Sequence, residues 1–228
     1  MSDIAINIEF PNDIAVIAGD MLSQQVRDQR RLDVARETLM PLREYIPVDG
    51  VVIDVGAYIG DHTLTYSHFV GPNGRVYAIE PNPIALKCLR HNMRYRSNVV
   101  IMPIALGSRG AKADFIFDSG DVSACRLTND DEGSAVNVMT LDFQFQMLTR
   151  LDFLKIDAEG FEAMILSGAR QTLLRLRPTI FIEINPYMLA KFGFEPDDVY
   201  RRLENLNYVQ AGTYGGDGNY TNVLMRPK

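Results

Sequence analysis

The sequence predicts an α/β fold built on a mostly parallel sheet, and three observations carry that expectation. Short apolar runs alternate with amphipathic stretches of helical length from residue 51 to residue 184. The first run, Val51-Val52-Ile53-Asp54-Val55, leads straight into a glycine turn, Gly56-Ala57-Tyr58-Ile59-Gly60, and then a helix from Asp61. The last two runs, 208–211 and 221–225, are joined by the glycine-rich Thr213-Tyr214-Gly215-Gly216-Asp217-Gly218. That link is too short for a crossover helix, so the last pair is antiparallel.

The elements follow in order. Residues 4–10 alternate, with Ile4, Ile6, Ile8 and Phe10 on one face, and predict a strand. Pro11-Asn12-Asp13 is a turn signal and 14–18 a second short strand, so the pair could form a hairpin over the edge of the fold. Asp20 is a suitable N-cap for a helix with Leu32, Ala35, Leu39 and Leu42 on one face, ended or kinked at Pro41. The run Arg27-Asp28-Gln29-Arg30-Arg31 reads as a solvated face. Residues 1–43 thus form an N-terminal strand and helix extension, and 44–228 the main domain.

Gly71-Pro72-Asn73-Gly74 turns the chain after the first core helix. Residues 75–79 are the second strand, followed by Glu80. Asn82 caps the next helix, and Pro83 sits in its first turn, where a missing N–H does no harm. Residues 99–104 are the third strand, closed by Gly107-Ser108-Arg109-Gly110. This rhythm implies right-handed crossovers. The span 107–140 then breaks it as an insertion. Short strands at 113–117 and 136–139 flank a long polar loop, 118–134, containing the acidic Asn129-Asp130-Asp131-Glu132-Gly133. Such a loop reads as a lid over the substrate. Residues 151–156 are the fourth core strand and 162–176 a helix with Ile165, Ala169 and Leu173 inward, stopped by Pro178. Residues 179–184 are the fifth strand. Pro196 opens a helix carrying Val199, Leu203 and Leu206.

Composition narrows the function classes. The 228 residues carry a net charge of −6 and a sequence pI of about 5.1, which argues against an extended nucleic-acid surface. Cys88 and Cys125 give neither a metal-ligand spacing nor a disulfide framework. Asp3, Asn7 and Glu9 near the start, without a basic n-region, argue against a signal peptide, and no apolar run reaches membrane-spanning length. A cytoplasmic protein without a membrane partner is expected.

The glycine turn is the first candidate site. Its spacing is Asp54-x-Gly56-x-x-x-Gly60, with Tyr58 where the dinucleotide fingerprint has its middle glycine. That glycine lets backbone approach a pyrophosphate. A tyrosine there, with a carboxylate in front, suits a ligand with positive charge and no phosphates, such as S-adenosylmethionine; the alternative is a strand–turn–helix that binds nothing. The N–H groups that begin the helix at Asp61, with His62 and Thr63, face the same ligand. Tyr58 and His62 could touch it or merely pack.

Four carboxylates, Asp54, Glu80, Asp157 and Glu183, fall at strand carboxyl ends, where ligands of open α/β sheets bind. Like charges gathered on one edge cost energy unless something neutralises them. Glu80 is placed to accept hydrogen bonds from ribose hydroxyls, with Pro81-Asn82-Pro83 fixing the turn. The apolar pair Ala105 and Leu106 past the third strand can sandwich an adenine. In Lys155-Ile156-Asp157-Ala158-Glu159-Gly160, Lys155 and Asp157 share one side of the strand. Asp157 reads first as a general base or hydroxyl orienter, second as a structural partner of Lys155, and third, with Glu183, as an Mg²⁺ ligand. Glu159 and Glu183 would position the hydroxyl or tune Asp157.

With these residues in view, the chain resembles the FkbM-type family of class I S-adenosylmethionine-dependent methyltransferases. The matching pieces are Val52 through Gly60, Ala78-Ile79-Glu80-Pro81-Asn82-Pro83, Leu154-Lys155-Ile156-Asp157-Ala158-Glu159-Gly160-Phe161-Glu162 and Leu166-Ser167-Gly168-Ala169, within a span of roughly 44–227. The resemblance implies a seven-stranded Rossmann-like sheet in order 3-2-1-4-5-7-6, strand 7 antiparallel, flanked by helices. It implies a cofactor held by Asp54, Gly56, Ala57, Tyr58, Gly60, His62, Thr63, Glu80, Pro81 and Asn82, and O-methylation of a small metabolite, sugar or glycan through Asp157, Glu159, Lys155 and Glu183. The chain departs from the family at Tyr58, where His or Asn is common, and before Asp20 it has no clear counterpart. A catalytically silent cofactor-binding assembly subunit is the rival reading, but it need not keep Lys155, Asp157 and Glu159. The missing middle glycine counts against a nicotinamide oxidoreductase. Acidic charge and the absence of an Asn-Pro-Pro-Tyr-type motif count against a nucleic-acid acceptor.

Overall fold

The computed structural model describes residues 8–118, 121–128, 134–216 and 218–228. The chain begins with β1 (Ile8–Glu9) and β2 (Val16–Ile17), then α1 (Met21–Gln29) and α2 (Arg36–Leu39). Next come β3 (Val51–Val55), α3 (Asp61–Val70), β4 (Arg75–Ile79), α4 (Pro83–Asn92) and β5 (Val99–Met102). The insertion comprises β6 (Ala105–Leu106), β7 (Ala111–Asp118), β8 (Asp121–Thr128) and β9 (Ser134–Met139), followed by α5 (Leu141–Gln144). The second half is β10 (Phe153–Ile156), α6 (Glu162–Ser167), α7 (Arg170–Leu176), β11 (Thr179–Ile184), α8 (Pro186–Ala190), α9 (Pro196–Glu204), β12 (Tyr208–Tyr214) and β13 (Thr221–Pro227).

Seven strands form the main sheet in the order β12-β13-β11-β10-β3-β4-β5. Counted along the core, this is the expected 3-2-1-4-5-7-6 order. β13 runs antiparallel to both neighbours, and the pairs among β3, β4, β5, β10 and β11 are parallel. The central strands bury both faces, which explains their unbroken apolar runs. Ile53, Val55, Leu154, Ile156 and Ile182 pack under Leu166, Leu173 and Leu203. On the other face Val52, Phe153 and Phe181 pack under Tyr66, Phe69 and Leu42.

Four expectations change in the structure. The helix expected from Asp20 through Leu42 is broken: α1 stops at the left-handed Arg30 (φ 54°), α2 follows, and Pro41 lies in a 3-10 turn, Met40–Tyr45. Leu32, Leu39 and Leu42 are buried nonetheless, because a chain of turns can present one apolar side as well as a continuous helix can. The third strand ends at Met102. Pro103 has no N–H for the ladder, and Ala105 and Leu106 join a second sheet of order β6-β9-β7-β8. Part of the expected polar loop is strand β8, paired antiparallel with β7 from Asp114↔Thr128 to Phe117↔Cys125. The Ser119-Gly120 connection and the acidic 129–133 stretch lie outside the described residues. Finally, the helix expected over 162–176 breaks at Gly168. A Cβ there would lie 2.1 Å from the carbonyl oxygen of Gly107, so the break seats the second sheet against α6 and α7. The structure adds the short α8, which Asn185 caps and Pro186 opens.

The two N-terminal strands form an antiparallel hairpin shorter than expected, Ile8 with Ile17 and Glu9 with Val16; residues 4–7 of the expected first strand lie outside the described residues. It docks on α4 rather than on a sheet edge, with Ala15, Val16 and Ile17 buried against Leu86 and Leu89. Among the described residues no helix is long and apolar enough to cross a membrane.

Candidate active site

The carboxyl ends of β3, β4, β10 and β11 open onto one cavity of about 670 Å³, the position where ligands bind to sheets of this kind. Its floor is the turn after β3. Gly56 is left-handed (φ 75°), and a Cβ on it would lie 1.8 Å from the carbonyl oxygen of Asp157. Only glycine lets these two strand ends touch. The N–H groups of Gly56 and Ala57 both donate to the Ile79 carbonyl, tying the same turn to β4. Tyr58 also has a positive φ of 49°, and its N–H donates to Glu80 Oε2 at 2.8 Å. The Asn82 N–H donates to Glu80 Oε1 at 2.7 Å. Both oxygens of this buried carboxylate are therefore oriented by backbone. Burial pushes the Glu80 pKa up to about 7 against the pull of those two amides.

Behind the floor lies an ion-pair node. Asp54 is fully buried; its Oδ2 accepts from Thr63 Oγ1 at 2.6 Å, and its Oδ1 is 3.4 Å from Lys155 Nζ. The same ammonium lies 3.4 Å from Asp157 Oδ2 and donates to the Gly56 carbonyl at 2.8 Å. Burial pulls the Lys155 pKa down, but the charges of Asp157 and Asp54 outweigh it, and the pKa is raised overall. Lys155 is thus a permanent cation tying Asp54, the glycine turn and Asp157 together.

After Asp157 the chain turns through a left-handed Glu159 (φ 53°). Glu162 braces that turn. Its Oε1 accepts from the N–H groups of Ala158 at 2.9 Å and Gly160 at 3.3 Å. Its Oε2 is buried with no hydrogen-bond partner among the described residues. Burial raises its pKa to about 7 despite those amides. On β11, burial and then the charges of Asp157 and Glu159 push the Glu183 pKa up, to about 9, favouring its protonated form.

Most of the expected residues converge here. Gly56, Tyr58, His62, Glu80, Pro81, Asn82, Ala105, Leu106, Lys155, Asp157, Glu159 and Glu183 all line the cavity. Asp54, Ala57, Gly60 and Thr63 do not. Asp54 and Thr63 bond to each other behind the wall, Ala57 is buried, and Gly60 packs against Leu89 of α4 and Met93 just after it. Asp54 therefore acts on the site through Lys155 rather than by pointing into it. The Mg²⁺ reading of Asp157 and Glu183 has no support in the donor set. Asp157 is matched by Lys155, and among the described residues no group of three or more His, Cys, Asp or Glu is arranged to hold a metal ion.

The structure adds Asp61, Phe161, Asn185, Asn219 and Tyr220 to the wall, and, from the N-terminal extension, Asp20, Met21, Leu22 and Gln25. Asp61 and Asn185 directly follow a glycine turn and a strand, where the strand-end rule would have found them. Nothing local to residues 20–25 signals their place over the cavity.

A glycine turn braced by a buried acid, with a Lys–Asp node beneath it, is matched by a family model described as the methyltransferase FkbM domain, over residues 54–209. The chain belongs to this family. FkbM-family proteins are S-adenosylmethionine-dependent methyltransferases, and the cavity lies where that cofactor's site is expected. A solved FkbM methyltransferase from Methylobacillus flagellatus KT superposes with a TM-score of 0.57 at 18% identity, over 95% of this chain and 56% of that one. The present chain thus spans little more than half the length of that FkbM protein. A precorrin-6y C5,15-methyltransferase from Geobacter metallireducens GS-15 gives 0.50 at 18% identity, over 87% and 89% of the two chains. Aeropyrum pernix fibrillarin, solved with natively bound S-adenosyl-L-methionine, gives 0.50 at 14% identity, over 79% and 67%. At these identities the likeness is one of fold. Among curated proteins none matches the chain.

Proposed function

We propose that this FkbM-family chain methylates a hydroxyl group of a small metabolite, sugar or glycan, with Asp157 as general base. The observation behind this reading is the placement of Asp157 on the cavity wall, where its Oδ2 lies 3.4 Å from the Lys155 ammonium. Glu183 lines the same wall, and burial raises its pKa, which favours a donor role beside Asp157.

When bound, S-adenosylmethionine supplies a methyl group already activated by its sulfonium. Glu80, with both oxygens oriented by amides, keeps lone pairs to accept from ribose hydroxyls. Ala105 and Leu106 offer an apolar seat for the adenine. The protein's remaining work is mostly alignment. An attacking alcohol must also lose a proton, and Asp157 takes it, while Glu183 and the neighbouring Glu159 orient the acceptor oxygen. General-base help of this kind contributes about 10²–10⁴-fold.

The test supplies S-adenosylmethionine and a panel of hydroxylated acceptors and follows S-adenosylhomocysteine release. Asp157→Asn should retain cofactor affinity and lose turnover by about 10²–10⁴-fold. Full turnover in that variant would leave alignment alone as the mechanism. Transfer only to amines or thiols would overturn the hydroxyl assignment.

A further inference from the structure

Residues 20–25 lie outside the family-matched span, 54–209, yet Asp20, Met21, Leu22 and Gln25 line the same cavity as Tyr58, Glu80 and Asn82. This segment is fastened where it lies. The Asn92 side chain accepts from the Ala15 N–H at 2.8 Å and donates to the carbonyls of Ala15 at 2.9 Å and Ile59 at 2.8 Å. One amide therefore joins the hairpin to the glycine turn. His91 and Arg94 both pair with Asp13. Ser23 Oγ accepts from the Ile17 N–H at 3.0 Å, and Asp20 caps α1 through the Ser23 N–H at 2.7 Å.

The side of the cavity is also defined. Leu22, Tyr58 and Ile84 all pack against the same core cluster. Burial first, and then the Asp20 carboxylate, keep the Tyr58 phenol protonated. These neighbours belong to the turn after β3 and the start of α4. Asp157, just past β10, and Glu183, on β11, lie on the opposite side of β3 in the sheet. Met21 and Gln25, one helical turn apart and hence on one face, are both exposed at the rim, and Met21 is 79% accessible.

We propose that α1 is the outer wall of the cofactor site, with Met21 and Gln25 closing over the ribose side of the bound adenosyl group. This rests on seating the ribose at Glu80. Met21 supplies apolar cover and Gln25 an amide that can both donate to and accept from the sugar hydroxyls. Both side chains point away from the packed side of α1, so removing them leaves the anchoring contacts intact.

The experiment titrates S-adenosylhomocysteine into the full chain and into a Met21→Ala, Gln25→Ala double variant by calorimetry, with melting curves to confirm folding. The double variant should bind roughly ten-fold more weakly, the loss expected for one hydrogen bond and one apolar contact. Hydrogen exchange of the wild type should slow over residues 21–29 when the ligand is added. Equal affinities overturn the inference, as does unchanged exchange. So does a rise confined to the acceptor KM, which would move α1 to the acceptor side. If the wild type itself binds no S-adenosylhomocysteine, the cofactor reading beneath the inference fails first.

Discussion

Replacing Lys155 with methionine removes one cation from a node that holds two carboxylates. Lys155 Nζ is 3.4 Å from Asp54 Oδ1 and from Asp157 Oδ2, and the residue is almost wholly buried. At an effective dielectric of about 20, each contact corresponds to about 5 kcal/mol of attraction before desolvation is subtracted. Methionine fills a similar volume, so little packing is lost. The cost is an uncompensated charge on Asp54, and breaking a buried pair from one side typically destabilises by about 3–5 kcal/mol. Urea titrations at neutral pH should show a fall of that size with the m-value unchanged. Thermal melts should drop by roughly 6–20 °C for a chain of this size. Adding Asp54→Asn should recover part of the loss, because the stranded charge disappears. A loss under about 1 kcal/mol, or a double variant less stable than Lys155→Met alone, would refute the claim that the node holds the sheet's centre together.

Two further outcomes follow from buried groups. Glu80 and Glu162 are raised from 4.5 to about 7 by burial, so between those values the folded chain binds more protons than the unfolded one. Their contribution to stability is fully present below about pH 4.5 and is lost as pH rises through about 7. Urea unfolding should therefore show stability falling from pH 5 to pH 8, and Glu162→Gln, which keeps an acceptor for the Ala158 and Gly160 amides, should flatten part of that slope; an unchanged slope would remove Glu162 from the account. Gly168→Ala would force the Gly107 carbonyl away and should destabilise by about 2 kcal/mol or more, read by melting temperature, while wild-type S-adenosylhomocysteine affinity persists.

Much of the sheet was legible because its strands are buried on both faces and announce themselves as continuous apolar runs. The bounds of β3, β4 and β11 lie where Val51, Arg75 and Thr179 begin such runs. Helices were less legible wherever apolar spacing reported a shared buried side rather than a continuous backbone, as with Leu32, Leu39 and Leu42. Gly168 gave no local warning of the second break, because what requires it is a carbonyl from a remote segment. At the site, residues adjoining strand ends were found, because fold topology alone gathers them there. The division between wall and foundation was not. Asp54 and Glu80 look alike in sequence, but Thr63 and Lys155 claim the first, while two backbone amides orient the second beside the cavity. The place of Met21 and Gln25 depends on Asn92 and Asp13, which no local pattern connects to them.

The meeting of Gly56 with the Asp157 carbonyl works as a ruler. Along that line nothing intervenes but main chain. Peptide units are nearly rigid, while side chains hop between rotamers in picoseconds to nanoseconds. The span from the glycine turn to the strand end carrying Asp157 therefore inherits the stiffness of the sheet. Wall residues such as Asn185 and Tyr220, which line the cavity away from that contact, can change without altering the span, so the spacing of the two strand ends and the shape of the cavity wall are free to evolve separately.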